Sequence, residues 1–314
     1  MTVLSRTVAS VRVPATSANL GPAFDCAGLA LTCHDVVEFA VVPSGLSVEV
    51  RGVGAADLPT DETHLVVRAF RAACDRLGWT PSGLRVVADN GIPQGRGRGS
   101  SAAAVVAGVM GAWALCPDVE TIDCDAVLQL VTELEGHPDN VAACLFGGAT
   151  LSWTGERGTV ADTLPVSPEI LPVVLVPEGT LSTHAARRLL PDLVPHADAA
   201  FNAGRAALLV HALIGEPGML LEATEDRLHQ RQRTEAMPET LALIDRLRAQ
   251  GHAAVVSGAG PSVLVLTRRH PDDPDGARVR EVADLTPTGW SVHPLGVDLH
   301  GATVSRPMQQ VSSS

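Results

Sequence analysis

The sequence of 314 residues contains no lysine and no tyrosine, and aromatic residues make up only 3% of it. A phosphate loop that ends in Gly-Lys-Ser/Thr requires a lysine, so this common kind of nucleotide site is excluded. The six cysteines include no Cys-x-x-Cys pair and no metal-type spacing, and we expect them to be reduced thiols.

The sequence also lacks an apolar run long enough to cross a membrane. Its N-terminal segment is too short and too polar to be a signal peptide. The formal charge of −12 argues against nucleic acid as a partner, because such partners select basic surfaces. With 46% hydrophobic residues the chain can build a large core. We therefore expect a globular, cytoplasmic protein with no nucleic acid or membrane partner.

The order of apolar patterns predicts a mixed structure. Alternating or β-branched runs predict strands, and apolar residues at helical spacing predict helices. The predicted strands are 8–13, 36–42, 46–50, 84–88, 148–153, 171–176, 253–256 and 263–267, and the predicted helices are 63–77, 100–115, 126–134, 198–213, 219–228 and 238–249, followed by one more helix and two strands. Because strands and helices do not alternate regularly, the fold class is α+β. The Pro/Gly/Asp-rich connection 154–168 predicts a boundary between domains 1–155 and 156–314.

Residues 91–108, GIPQGRGRGSSAAAVVAG, form the strongest local pattern. Glycine permits positive φ and a close approach of the backbone to a ligand. The start of the alanine-rich helix that follows offers free N–H groups and a positive dipole end to an anion. The pattern therefore predicts a phosphate-binding loop without a lysine, although glycines before a helix are common.

Three other segments are rich in Gly, Asn, Asp, Ser and Pro: PATSANLGPAFD at 14–25, ELEGHPDN at 133–140 and SGAGPS at 257–262. The first is either a turn or a binding segment. The carboxylates of the second could hold Mg²⁺, which prefers oxygen ligands, or could simply close a helix. The third is either a tight hairpin or a second ligand loop.

Taken in this order, the four segments resemble the motifs of the GHMP kinase superfamily and, within it, of the homoserine kinase family. Two further segments, LSTHAARRLLP at 181–191 and DRLHQRQRTEAMP at 226–238, resemble that family as well. The resemblance implies an N-terminal domain like ribosomal protein S5, a C-terminal ferredoxin-like domain, and a site between them. It also implies phosphorylation of the side-chain hydroxyl of L-homoserine by ATP with Mg²⁺, on the route to threonine, and it is compatible with a homodimer.

The resemblance assigns roles to individual residues. Glu133, Asp139 and Asn140 would be catalytic, and Ser101 with Glu133 would hold the metal, although sequence alone does not separate Glu133 from Glu135. A general base at Asp139 and transfer without a strong base both remain open. The residues that would bind ATP are Pro93, Gln94, Gly95, Arg96, Gly97, Arg98, Gly99, Ser100, Ser101, Ala102 and Ala103. Those that would bind the substrate are Asn19, Asp25, His137, Thr183, Arg187, Arg233 and Gly260.

The chain departs from the family pattern at three positions: Ala23 and Arg98 stand where the family has Gly and an apolar residue, and Gln232 stands where it commonly has Tyr. If position 23 needs positive φ, its alanine is strained. Arg98 could contact phosphate, but we expect it to point to solvent. These departures leave two alternatives, a kinase for another small hydroxy amino acid and a non-catalytic relative that binds ligand.

Overall fold

The computed structural model describes residues 7–269 and 276–306. Its first sheet contains seven strands, β1 (Val8–Ala18), β2 (Ala27–Val41), β3 (Gly45–Gly52), β4 (Gly83–Asn90), β5 (Ala149–Gly155), β6 (Gly158–Leu164) and β11 (Thr303–Ser305). The order is β11-β1-β2-β4-β3, while β5 pairs with the other end of β2 and with β6. Only the β3–β4 pair is parallel. The second sheet has the antiparallel order β10-β7-β9-β8, with β7 (Ile170–Pro177), β8 (Ala253–Val256), β9 (Val263–Arg268) and β10 (Trp290–Pro294).

Nine α-helices occur in the described part: α1 (Leu65–Leu77), α2 (Ser100–Leu115), α3 (Cys124–Glu135), α4 (Asp139–Phe146), α5 (Thr183–Arg187), α6 (His196–Ile214), α7 (Leu220–Ala223), α8 (Pro238–Ala249) and α9 (Ala277–Leu285). Helix α2 packs on β1 and on α1, and α4 packs on β1 and β2. Helices α8 and α9 cover the second sheet. The α+β class is therefore confirmed, and α2, α8 and β8 have the predicted bounds.

Helix α2 lies deep in the core because its own small residues let the neighbouring elements approach closely. A Cβ atom on Gly108 would lie 2.4 Å from the carbonyl oxygen of Val66 in α1, and one on Gly111 would lie 2.6 Å from the ring of Phe39 in β2. The helix is apolar on every face, as expected of a helix enclosed by other elements. This tight packing fixes the position of its N-terminus, which follows the glycine-rich loop.

Strand β7 contributes to two cores. Val174 and Val176 pack in the larger core shared with the first sheet, whereas Val173 and Leu175 pack with α8 and α9. Alternate side chains of a strand point to opposite faces, and both faces of this strand are covered. The uninterrupted apolar run at 171–176 therefore reflects burial on both sides.

Two predicted elements need correction. The connection predicted at 154–168 contains β6, which pairs with β5, so the two strands form a hairpin in the first sheet. The helix predicted at 219–228 is reduced to α7, because the carboxylate of Asp226 accepts the backbone N–H groups of Leu228 and His229 and stabilises a turn. The domain division at 155/156 stays a prediction; β6 and β11, which follow it in sequence, belong to the first sheet.

The C-terminal segment is fastened to the first sheet by a buried carboxylate. Asp298 accepts a hydrogen bond of 2.6 Å from Nε2 of His34, and backbone N–H groups of His300 and Gly301 from 2.9 Å. Arg12 donates to Nδ1 of the same histidine at 3.0 Å, which places the His34 proton on Nε2. Burial alone would raise the pKa of Asp298, but these hydrogen bonds outweigh it and lower the pKa.

We expect Asp298→Asn to lower the free energy of unfolding at pH 7 by about 1–3 kcal/mol, because the new amide would present a donor to the His34 N–H. A carboxylate with a lowered folded-state pKa stabilises the fold above its unfolded pKa of about 4 and loses that effect as the pH falls through the folded value. Urea denaturation of both proteins should therefore show a constant difference above about pH 5 that shrinks below pH 4. The exposed Asp118→Asn serves as the control and should change stability by less than about 0.5 kcal/mol. A difference that is independent of pH would contradict the role of the carboxylate.

Candidate active site

A cavity of about 170 Å³ lies where the two sheets meet, and we refer to it as the central cavity. Segments that are distant in sequence line it: the turn 18–24, the glycine loop 95–101, the start of α4 with the residues before it at 135–140, the α5 segment 181–187, and residues 233 and 258–259. All six motif segments of the sequence contribute to its wall. The fold thus brings together elements that the sequence keeps far apart.

The glycine loop has the backbone that its sequence predicts. Gly95, Gly97 and Gly99 have φ values of 64°, 67° and 68°. A Cβ atom on Gly97 would lie 2.2 Å from the carbonyl oxygen of Ser257, and one on Gly99 would lie 1.9 Å from Oγ1 of Thr16. Helix α2 begins after Gly99 without a side-chain cap, so its first N–H groups are open to an anion.

Two arginines of this loop differ in their surroundings. Arg96 donates to the carbonyl oxygens of Pro177 and Glu178 and so ties the loop to the end of β7. Arg98 is buried rather than solvated, which corrects the expectation for this residue. It lines the central cavity, and within the described residues nothing accepts a hydrogen bond from its Nε or NH2 atoms. Burial raises the pKa of the nearby Asp35 to about 6, although two backbone N–H groups and the charge of Arg98 oppose the rise.

The metal ligand predicted at position 133 also needs correction. Glu133 is exposed and forms an ion pair with Arg76 at 2.7 Å, outside the central cavity. Glu135 lines the cavity and accepts a hydrogen bond of 2.9 Å from Oγ of Ser101. The phase of α3 explains the difference, because Glu135 follows the buried Val127 and Val131 at intervals of four residues. The same spacing in the sequence places Glu135 on the buried face of α3, but it does not show that Ser101 lies opposite.

Asp139 and Asn140 meet β1 and the glycine loop at the start of α4. Oδ1 of Asp139 accepts hydrogen bonds from Nδ1 of His137 at 2.6 Å and from the Asn140 N–H at 2.7 Å. Burial alone would lower the pKa of His137, but the hydrogen bond and charge of Asp139 raise it. Oδ1 of Asn140 accepts a hydrogen bond of 2.8 Å from Thr16. His137, Asp139 and Asn140 all line the central cavity.

The turn 19–25 is strained and closely held. Asn19, Leu20 and Asp25 have φ values of 72°, 46° and 56°, which non-glycine residues rarely adopt. The amide of Asn19 donates to the carbonyl oxygen of Gly258 at 3.0 Å and accepts the N–H of Asp25 at 2.9 Å. Ala23 does not have positive φ, so the alanine at this position carries none of the expected strain.

Asp25 and Arg187 pair with each other. NH1 and NH2 of Arg187 donate to the two carboxylate oxygens of Asp25 at 2.9 and 2.6 Å. Both side chains are 34% exposed; Arg187 lines the central cavity, whereas Asp25 is not among the lining residues. The hydrogen bonds to Asp25 raise the pKa of Arg187. An anionic and a cationic group therefore face one another next to the central cavity.

Arg233 is almost fully buried at 1% exposure. Burial and the charge of Arg187 lower its pKa to about 10. Its guanidinium donates to Nδ1 of His229 at 3.1 Å, while no described group accepts a hydrogen bond from its Nε. Such a buried cation is suited to an anionic ligand.

Four further predicted residues do not appear among those that line the central cavity. Pro93 and Ala102 do not line the central cavity, and neither does Gly260, since Gly258 and Ala259 occupy that part of its wall. Thr183 begins α5, but its side chain lies outside the described part of the structure.

A second cavity, of about 280 Å³, opens beside the glycine loop, and we call it the apolar pocket. It shares Gly95, Ser100 and Ser101 with the central cavity and also contains Gln94 and Ala103. His64 lies in its wall, where burial lowers its pKa and no described group bonds either ring nitrogen. No motif in the sequence marks His64.

Comparison with known proteins identifies the family of this chain. Residues 64–148 match the family described as "GHMP kinases N terminal domain", and residues 206–284 match "GHMP kinases C terminal". The homoserine kinases of Streptomyces coelicolor and Clavibacter michiganensis are 53% and 52% identical, each over 94% of this chain and 93% of the relative. The crystal structure of homoserine kinase from Cytophaga hutchinsonii superposes with a TM-score of 0.81 at 25% identity, covering 95% of this chain and 98% of the other. Within residues 7–269 and 276–306, none of the helices is both long and apolar enough to span a membrane.

Proposed function

The chain belongs to the homoserine kinase family of the GHMP kinases, and from this premise we propose that it transfers the γ-phosphoryl group of ATP to the side-chain hydroxyl of L-homoserine. One observation carries the proposal: a single cavity joins an uncapped helix N-terminus, a serine–carboxylate pair and groups of both charges. These are the parts that positioning and charge neutralisation in phosphoryl transfer require. The product is O-phospho-L-homoserine, and we place the reaction in threonine biosynthesis in the cytoplasm.

ATP is proposed to bind with its phosphates on the glycine loop and its base in the apolar pocket. Three glycines with positive φ and the free N–H groups of α2 support the first part. The shared residues Gly95, Ser100 and Ser101 support the second, because they connect the two cavities. Arg98 would contribute positive charge to the phosphates, a role that lysine has in other phosphate loops.

We expect Arg98→Leu to weaken ATP binding about 10-fold, a loss typical of a charge-assisted hydrogen bond. The same change should stabilise the ATP-free protein by about 1–3 kcal/mol, because it removes a buried cation with unpaired N–H groups. Calorimetric titration with ATP and urea denaturation measure the two effects. Arg96→Leu is the control and should have the opposite effect on stability, since it deletes two hydrogen bonds to carbonyl oxygens. Unchanged ATP affinity in Arg98→Leu would exclude the phosphate contact.

Mg²⁺ fits the pair formed by Ser101 and Glu135. Their hydroxyl and carboxylate oxygens are hard donors, and Mg²⁺ usually keeps several waters and phosphate oxygens in its shell. Two protein ligands therefore suffice, although the described residues contain no group of three or more His, Cys, Asp or Glu side chains that could hold a metal. The bound ion would neutralise charge on the phosphates.

L-Homoserine is proposed to replace the ion pair between Asp25 and Arg187. Its ammonium group would bind Asp25, and its carboxylate would bind Arg187 and the buried Arg233, while Asn19, His137 and Thr183 complete the site. An exchange of this kind keeps every charge partnered. A substrate such as mevalonate, which carries a carboxylate but no ammonium group, would leave Asp25 without a partner.

Asp139 is the proposed acceptor of the proton from the substrate hydroxyl. Its Oδ1 already accepts hydrogen bonds from His137 and Asn140, so Oδ2 is the atom available to substrate. Asn140 and Thr16 support this arrangement through their own hydrogen bond. The catalytic set is thus Glu135, Asp139 and Asn140, with Glu135 in the place predicted for Glu133.

The proposal is tested by measuring ADP release from purified protein with ATP and Mg²⁺ and a panel of homoserine, threonine, serine and mevalonate. We expect kcat/KM for homoserine to exceed that for the others by about 100-fold or more, because a site with buried polar groups rejects substrates that leave them unpaired. A higher value for another hydroxy amino acid would reassign the substrate. ATP binding without turnover of any alcohol would identify a non-catalytic relative.

A further inference from the structure

We propose that His229 is a positioning residue for the substrate carboxylate site: its imidazole holds the guanidinium of Arg233 on one side and the backbone of the turn 19–25 on the other. The inference rests on the proposed function, since it assigns Arg233 to homoserine. His229 belongs to the segment 226–238, but it is not among the substrate-binding residues that the family resemblance implies.

Both ring nitrogens of His229 are engaged. Nε2 lies 2.7 Å from the carbonyl oxygen of Gly21 and can only donate to it. Nδ1 lies 3.1 Å from NH1 of Arg233 and can only accept from it. The ring is therefore the neutral tautomer with its proton on Nε2. A second proton on Nδ1 would oppose an N–H group and a positive charge.

An aromatic ring extends this arrangement to the second arginine. Phe24 stacks on His229 with ring centroids 4.9 Å apart and an interplanar angle of 28°. The guanidinium carbons of Arg187 and Arg233 lie 5.6 and 5.7 Å from the Phe24 centroid, within the range of cation–π attraction. The orientation of His229 consequently affects how both carboxylate-binding arginines are held.

Asp226 anchors His229 from behind. Its Oδ2 accepts the backbone N–H of His229 at 3.1 Å, and its Oδ1 accepts a hydrogen bond of 2.9 Å from Asn202. Nδ2 of Asn202 also donates to the carbonyl oxygen of Pro22 at 3.1 Å. The strained turn that carries Asn19 and Asp25 is thus held at two of its carbonyl groups by the C-terminal half of the chain.

The charged groups that face His229 are Asp226 on its own segment, Arg233 on the following turn, and Asp25 on the turn 19–25. Burial is the largest influence and lowers the pKa of His229; Arg233 lowers it further, while the two carboxylates oppose the change. The imidazole therefore stays neutral at pH 7. Protonation of His229 should therefore weaken homoserine binding only at acid pH, below the ordinary range of histidine.

Two amide substitutions separate the functions of the two nitrogens. His229→Asn places an amide oxygen near the position of Nδ1, so it can still accept from Arg233. His229→Gln places an amide nitrogen near Nε2, so it keeps the contact to Gly21 but loses that acceptor. We expect His229→Gln to raise KM for homoserine about 10- to 100-fold, while kcat and KM for ATP stay within about threefold of the wild type. His229→Asn should raise KM for homoserine less than about fivefold. Equal losses in the two variants, or parallel changes in kcat and KM for ATP, would overturn the proposal.

Nitrogen NMR of the wild-type imidazoles tests the inference without turnover and so separates it from the proposed function. We expect His229 to show a protonated Nε2 and an unprotonated Nδ1 at pH 7, and the Nδ1 resonance to shift in Arg233→Met. A proton on Nδ1, or an Nδ1 resonance unaffected by Arg233→Met, would overturn the proposal whatever the substrate. Absence of homoserine turnover in the wild type, with the expected NMR result, would instead overturn the proposed function alone.

Discussion

Glu135→Gln is expected to lower kcat for homoserine phosphorylation by about 10²- to 10³-fold, whereas Glu133→Gln should leave kcat within about twofold. The two glutamates lie on the same helix, two positions apart, but only Glu135 lines the central cavity and contacts Ser101. A neutral amide at position 135 would remove the negative charge that we propose holds Mg²⁺ against the phosphates. Stabilisation of the charge on the transferred phosphoryl group supplies much of the rate of phosphoryl transfer.

The measurement is kcat at saturating ATP and homoserine over a range of Mg²⁺ concentrations. Partial recovery of Glu135→Gln at high Mg²⁺ would support a role in metal binding. Glu133→Gln is the matched control, because it removes the same charge from the same helix and breaks only the exposed ion pair with Arg76. The assignment would be refuted by equal losses in the two variants, or by a larger loss in Glu133→Gln.

Arg233→Met is expected to raise KM for homoserine about 10³-fold while changing KM for ATP by less than about threefold. Arg233 is 1% exposed and lines the central cavity with Arg187, and the charges of Arg187 and Asp25 both act on it. Its loss would leave the substrate carboxylate with one arginine in a poorly solvated cavity, where an unpaired charge costs several kcal/mol. Methionine keeps much of the volume, so the effect reports on charge more than on packing.

Arg231→Met provides the control for this substitution. Arg231 lies on the same short helical segment, but it is exposed and pairs with Asp245 on α8. An exposed ion pair contributes at most about 1 kcal/mol to the stability of the fold, so the variant should fold normally. Because Arg231 does not line the central cavity, KM for homoserine should be unchanged. Steady-state kinetics with homoserine varied at saturating ATP give both values. Similar KM values for Arg233→Met and the wild type would remove Arg233 from the substrate site.

Several parts of the site could be predicted from the sequence because they depend on short stretches of backbone. The glycines at 95, 97 and 99 need positive φ, and the helix after them starts at the predicted residue. The bounds of α8 and β8 likewise follow from proline at a helix start and from a short β-branched run. Two segments of less decisive composition differ from their predictions. The Pro/Gly-rich segment 154–168 is predicted as a connection but contains β6. The helix predicted at 219–228 ends early because the side chain of Asp226 stabilises a turn.

Other features depended on the surroundings of each side chain. Arg98 has a polar sequence context that suggests solvent, yet the packing of the loop between the two sheets buries it. Ala23 replaces a glycine of the family, yet the positive φ values occur at neighbouring residues instead. No motif marks His64, and the motif segment 226–238 assigns no role to His229; the positions of both follow from contacts with elements far away in the chain.

By itself, the sequence determined the family, through six short motifs in a fixed order, and the α+β class, through the local spacing of apolar residues. It also located the glycine loop and the segments that line the central cavity. Only the tertiary structure decided that Glu135 rather than Glu133 faces Ser101, that Arg98 is buried, and that Asp25 pairs with Arg187. The contact between Ser101 and Glu135 joins residues 34 positions apart, and the one between Asp25 and Arg187 joins residues 162 positions apart. Their geometry depends on the rotation of a helix about its axis and on how the two sheets pack, and local patterns do not specify how such distant elements meet.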